Sequence, residues 1–156
     1  MKKEFLKTIQ DYQKIIYKVC RVYRDSREDQ EDLFQEIVYQ LWKSYSAFRK
    51  ESKVTSWIYK IALNTAIAIY RKSKLSIDYY EEFPEDIHPS CEKTVSENEE
   101  RLFGALRKLN DSEKAVISLY LEDFNYQEIA EIAGLSESNV GVRLNRIKNK
   151  LKEILK

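Results

Sequence analysis

The chain has 156 residues, room for one ordinary domain or two small ones. With only 3 Gly and 2 Pro it lacks the turn residues a β-sandwich or barrel needs, and no Gly-rich loop exists to admit a nucleotide phosphate against the backbone. The charge of +1 conceals a strong division: residues 1–75 carry 16 Lys/Arg against 9 Asp/Glu, residues 76–100 carry 1 Lys against 9 Asp/Glu, and residues 101–156 carry 10 against 8. Two basic segments, 43–74 and 142–156, each contain a single acid, Glu51 and Glu153 respectively, which suits contact with a polyanion at two places.

In chain order, Phe5, Ile9, Tyr12, Ile16, Val19 and Tyr23 recur at steps of three and four and predict a first helix. Cys20 lies in this apolar run and is expected to be a buried free thiol; a reducing cytoplasm is the expected compartment. Asp25 to Asp29 breaks the stripe and offers N-caps for a second helix. That helix shows a wide apolar face of Leu33, Phe34, Ile37, Val38, Leu41, Trp42 and Tyr45. A polar, basic stretch follows, and Thr55 or Ser56 is expected to cap a third helix. Its predicted inner stripe is Trp57, Ile58, Ile61, Ala62, Thr65, Ala66 and Ile69, and Arg71-Lys72-Ser73-Lys74 suits its C-terminal end. Trp57 reads as core, whereas Tyr59 and Tyr70 leave the stripe and are the expected platforms for stacking on unpaired bases.

Residues 76–95 lose the periodicity, hold Pro84 and Pro89, and read as an acidic linker. Helical order resumes at Ser96-Glu97-Asn98-Glu99, a capping-box pattern, with Leu102, Leu106 and Leu109 inside. Asn110 to Ser112 forms a turn and cap before a helix marked by Val116, Leu119 and Tyr120. Asn125 then caps a short helix, Tyr126 to Ala133, which stops at Gly134, and Ser136 caps a long last helix with Val140, Leu144, Ile147, Leu151 and Ile154 inside. The predicted fold class is therefore all-α: two small helical domains, 1–75 and 96–156, joined by the acidic linker.

The segment from Tyr126 to Val140 has helix-turn-helix grammar. Ala130 is small enough for close helix approach, Gly134 accepts the positive φ of a tight turn, and the helix after Ser136 presents its N-terminal end to a phosphate or base edge. Its expected outward face includes Ser138, Asn139, Gly141, Val142, Asn145, Arg146 and Lys148. Arg143, Arg146 and Lys148 can reach phosphates or guanine, and Asn139 and Asn145 can read adenine. Upstream, Asp32-Leu33-Phe34-Gln35-Glu36 forms an acidic and polar helix edge, and basic residues interleave with aromatics from Arg49 to Lys74, the mixture single-stranded nucleic acid binding requires. A single His, His88, and two distant cysteines, Cys20 and Cys91, provide neither a nucleophile–base pair nor metal-ligand spacing, so no enzyme, metal or cofactor is expected.

Together these segments resemble the sigma-70 family of bacterial RNA polymerase sigma factors, in its short extracytoplasmic-function (ECF) subgroup. Asp32-Leu33-x-Gln35-Glu36 with Leu41-Trp42 is similar to the family's polymerase-binding helix. Thr55-x-Trp57-Ile58-Tyr59-x-Ile61-Ala62-x-Asn64 with Arg71-Lys72 is similar to its promoter-melting helix, and Tyr126 through Arg146 to its region 4 helix-turn-helix. The resemblance implies that Asp32, Gln35 and Glu36 dock on the β′ clamp helices of core RNA polymerase, with the β flap as a second contact. It implies that Arg49, Lys50, Lys53, Lys60, Asn64, Arg71 and Lys72 act on the −10 element. It implies that Ser138, Asn139, Arg143, Asn145, Arg146 and Lys148 act on the −35 element, and that the linker threads the polymerase channels. Promoter DNA and an anti-sigma factor are the other implied partners, with no small-molecule substrate. Three positions depart from the family's habit. Ala68 stands where an acid is common, Asn110 where a Pro often follows leucine, and Gly141 where Lys is common, so groove contacts must shift to the neighbours of Gly141. The rival reading is a helix-turn-helix repressor or activator with a sensory or dimerising front module; it explains the last domain but neither Asp32 to Glu36 nor the basic aromatic helix.

Overall fold

The computed structural model describes residues 2–48, 53–71 and 96–156, without the side chains of residues 69–71. The expected linker 76–95, His88 and Cys91 lie outside the described residues. The chain divides into two compact units, Met1–Cys91 and Glu92–Lys156. All seven elements among the described residues are α-helices.

The first unit is a bundle in which α1 (Lys2–Tyr23), α2 (Arg27–Tyr45) and α3 (Val54–Arg71) each pack on the other two. The α1 stripe buries Phe5, Ile9, Ile16, Val19 and Tyr23 against Leu33, Phe34, Ile37, Val38 and Leu41 of α2. Ser26 caps α2, its hydroxyl accepting from the Asp29 N–H at 3.1 Å. The end of α1 is satisfied by side chains: buried Gln30 donates to the Arg24 carbonyl at 3.1 Å, while Arg24 donates to the Tyr23 carbonyl at 2.8 Å and to the Ala66 carbonyl of α3 at 3.4 Å. An aromatic chain closes the other end. The Phe5 ring meets Trp42 and Tyr45 edge-on at 5.0 and 5.3 Å, and Phe48 stacks on Trp57 at 4.5 Å.

Two expectations for α3 are corrected. The helix opens two or three residues earlier than a cap at Thr55 or Ser56 implies, with the Lys53 carbonyl accepting from the Trp57 N–H at 3.1 Å. Tyr59 is 1% exposed, so it is a core residue rather than a stacking platform. The reason is geometric: α3 packs on both α1 and α2, so its buried arc extends beyond one stripe and takes in Tyr59 and Leu63 as well as Ile58, Ala62 and Ala66. The side chain of Tyr70 lies outside the described residues.

The second unit contains α4 (Glu97–Arg107), α5 (Asp111–Leu121), α6 (Tyr126–Ala133) and α7 (Glu137–Leu155). Each begins at a side-chain cap: Ser96, Asn110, Asn125 and Ser136 accept from the N–H groups of Glu99, Glu113, Glu128 and Asn139. At Asn110 and Asn125 the glutamate three residues on returns the bond to the cap's own N–H, at 3.0 and 3.1 Å, completing two capping boxes of the same form. Val116, Leu119, Ile129, Val140 and Ile147 are fully buried where α5, α6 and α7 converge; Leu151 and Ile154, expected inside, are half-buried near the end of α7.

Candidate nucleic-acid interface

The turn between α6 and α7 sets the orientation of everything beyond it. Gly134 adopts φ 72° and ψ 38°, and the following Leu135 N–H donates to the Ala130 carbonyl at 2.9 Å. This is the closing bond of a Schellman turn, whose left-handed position favours glycine. Ser136 then caps α7 two residues later, so α6 and α7 form a helix-turn-helix locked by Ile129, Ala130 and Val140.

With Val140, Leu144 and Ile147 turned inward, an exposed stripe runs along the other side of α7. It is centred on Val142: Ser138, Asn139, Asn145, Arg146 and Asn149, all exposed, stand three, four or seven residues away. Four expected residues, Ser138, Asn139, Asn145 and Arg146, are brought together here. Asn149 was missed, although its place seven residues after Val142 marks it as part of the stripe.

Arg143 and Lys148 do not share this stripe. Arg143 reaches α5, where its Nη1 donates to Ser112 Oγ at 2.6 Å. Lys148 donates to the Tyr120 hydroxyl at 3.1 Å and lies 4.4 Å from the centre of that ring; the hydroxyl beside it raises its pKa above the ordinary lysine value. Lys150 joins Arg143 near the start of α5 through Glu113, with Nζ 3.0 Å from Oε1. Burial pushes the Glu113 carboxyl up, but the Asn110 N–H and the Lys150 and Arg143 cations outweigh it, holding the group below its ordinary range.

In the first unit, Lys53, just before α3, and Lys60 and Asn64 on it are exposed, at steps of seven and four. Such spacing places them on one face about 16 Å long. The side chain of Arg71, and all of Arg49, Lys50 and Lys72, lie outside the described residues. On α2, Asp32 is exposed and Gln35 half-buried, whereas Glu36 is 4% exposed, its Oε1 accepting from Gln40 Nε2 at 3.2 Å. Cys20 is a buried free thiol, and loss of hydration raises its pKa far above the ordinary thiol value, which makes it unreactive. Among the described residues no cluster of three His, Cys, Asp or Glu side chains could hold a metal ion, and no helix is long and apolar enough to cross a membrane.

Comparison with known proteins gives the same division. Residues 8–75 match the Sigma-70 region 2 family and residues 99–151 match Sigma-70, region 4. The chain is 31% identical over 139 residues to RNA polymerase sigma factor SigV of Bacillus subtilis, covering 88% of this chain and 82% of that protein. It is 30% identical over 148 residues to the ECF RNA polymerase sigma-E factor of Haemophilus influenzae, covering 83% and 78%. Among solved structures, the fold is similar to the sigma factor RpoE crystallised with the anti-sigma factor NepR from Bartonella quintana, with a TM-score of 0.73, 21% identity and coverage of 98% of this chain and 97% of that one. It is also similar to CnrH in complex with the cytosolic domain of CnrY, with a TM-score of 0.71, 19% identity and coverage of 99% and 89%. With both region 2 and region 4 present in order, the chain belongs to the sigma-70 family of RNA polymerase sigma factors, in its extracytoplasmic-function group.

Proposed function

We propose that the two units divide promoter recognition between them, as a dissociable subunit of RNA polymerase. The observation that carries this reading is the exposed stripe of α7, where Arg146 and three asparagines, Asn139, Asn145 and Asn149, stand on the outward side of a helix held by a helix-turn-helix. Arginine pairs with guanine and asparagine with adenine in the major groove, so the stripe suits the −35 duplex, with Ser138 at its N-terminal end near the phosphates. Arg143 and Lys148 support it from the flanks.

The face of Lys53, Lys60 and Asn64 serves the opened −10 strands, together with Arg49, Lys50, Arg71 and Lys72. It supplies cations for phosphates, and melting is driven by binding rather than by catalysis. Asp32 and Gln35, with the buried Glu36 beside them on α2, dock on the β′ clamp helices, and the second unit meets the β flap. The acidic segment 76–95 joins the two and suits the nucleic-acid channels of the polymerase by its charge. An anti-sigma factor is the natural regulator, since the similar sigma factor from Bartonella quintana was crystallised with one.

The test is run-off transcription from a genomic fragment library with purified core polymerase and this chain. Defined start sites that depend on the chain are expected; a repressor or activator acting alone would yield none.

A further inference from the structure

Among the described residues three large apolar side chains are exposed, Leu121, Tyr126 and Val142, and two of these flank Gly141. Tyr126 opens α6 and is 43% exposed; its ring lies over Gly141, with Cε2 3.4 Å from the place a Cβ there would occupy. Position 141 therefore offers the groove no side chain of its own, and the tyrosine ring fills that flank. Val142, the next residue, is 48% exposed at the centre of the α7 stripe, with Asn139 one turn before it and Arg146 one turn after.

An isopropyl group in that place cannot hydrogen-bond to a base edge or to a phosphate. The major groove presents one apolar feature, the C5-methyl of thymine. Polar groups on either side of Val142 can hold adjacent base edges, and the Tyr126 ring lies over the neighbouring Gly141. Burying one methyl group against another is worth a factor of about three to five in affinity.

We propose that Val142 is a specificity-determining residue that reads a thymine methyl in the upstream promoter element. This rests on the promoter-recognition reading above, and deepens it by assigning one base chemistry to one side chain.

The experiment uses the full chain in holoenzyme and a promoter duplex recovered by run-off transcription. Each thymine in the upstream contact region is replaced singly by deoxyuracil, which keeps base pairing and removes only the methyl. Binding is measured for the native chain, Val142→Ser and Val142→Ile, with helical content checked by circular dichroism. At one thymine, removal of the methyl is expected to weaken native binding about three- to five-fold. Val142→Ser is expected to bind the thymine duplex as weakly as native binds the uracil duplex and to lose the discrimination, while Val142→Ile retains it. The proposal is overturned if no upstream thymine discriminates, or if Val142→Ser discriminates as native does; promoter recognition then still stands on its run-off products. Absence of any chain-dependent product, seen before uracil is introduced, overturns both readings together.

Discussion

Arg143 Nη1 lies 2.6 Å from Ser112 Oγ, which ties the middle of α7 to the first turn of α5 and turns this cation away from the exposed stripe that Arg146 shares with Val142. Two arginines three residues apart on one helix thus have different work. Arg146→Ala is expected to cost about 1–3 kcal/mol of promoter affinity and to relax preference at one base pair. Arg143→Ala is expected to leave base preference intact and to weaken the α5–α7 contact by less than about 1 kcal/mol, since the pair is exposed. Competition binding of holoenzyme to duplexes with single upstream substitutions separates the two.

Glycine substitutions should act with opposite signs in the second unit. Gly134 has φ 72°, a conformation costing other L-residues about 1 kcal/mol, so Gly134→Ala lowers the thermal midpoint and disturbs the angle between α6 and α7. Gly104 lies inside α4, and a Cβ there would have nothing within 4 Å. Gly104→Ala is expected to stabilise by about 0.5–1 kcal/mol, raising the midpoint. Calorimetry of both variants checks the contrast.

Acid should loosen the second unit at one identifiable place. Glu113 titrates below its ordinary range in the folded chain, so the unfolded chain binds its proton more readily. Its contribution is therefore complete above the ordinary carboxylate pKa and is lost as the pH falls through the lower folded value. Glu113→Gln removes that component, and unfolding followed between neutral pH and about pH 3 should show a shallower acid limb than the native chain.

Polymerase docking is best tested at Asp32. Its side chain is exposed, so Asp32→Lys should weaken binding to core polymerase with the bundle intact. Glu36→Lys should weaken it too, but places a cation at a position 4% exposed and is expected to destabilise the first unit as well. Core-polymerase affinity measured beside thermal unfolding distinguishes a lost contact from a loosened fold. Unchanged affinity in Asp32→Lys would remove this helix edge from the docking surface.

The helices and their ends were largely readable in advance because they depend on neighbours in the chain. Ser26, Asn110, Asn125 and Ser136 cap their helices by bonds to N–H groups three residues on, and Gly134 takes its left-handed turn between two such elements. The two-part resemblance was readable for the same reason, since its motifs are local runs in a set order.

Side-chain environment was not, wherever a second or third helix decides it. Tyr59 leaves the apolar stripe of α3 yet is buried, because α1 and α2 cover α3 from two sides. Arg143 and Lys148 suit a DNA-facing role by type, and the packed helices also bring them to Ser112 and Tyr120, 31 and 28 positions away. Tyr126 and Val142 are exposed although both are large and apolar, and the Tyr126 ring of α6 lies against Gly141 of α7, fifteen positions away. Periodicity and capping are short-range, and one chain segment contains all they need. Burial and pairing are set by whichever distant surfaces the packed helices bring within reach.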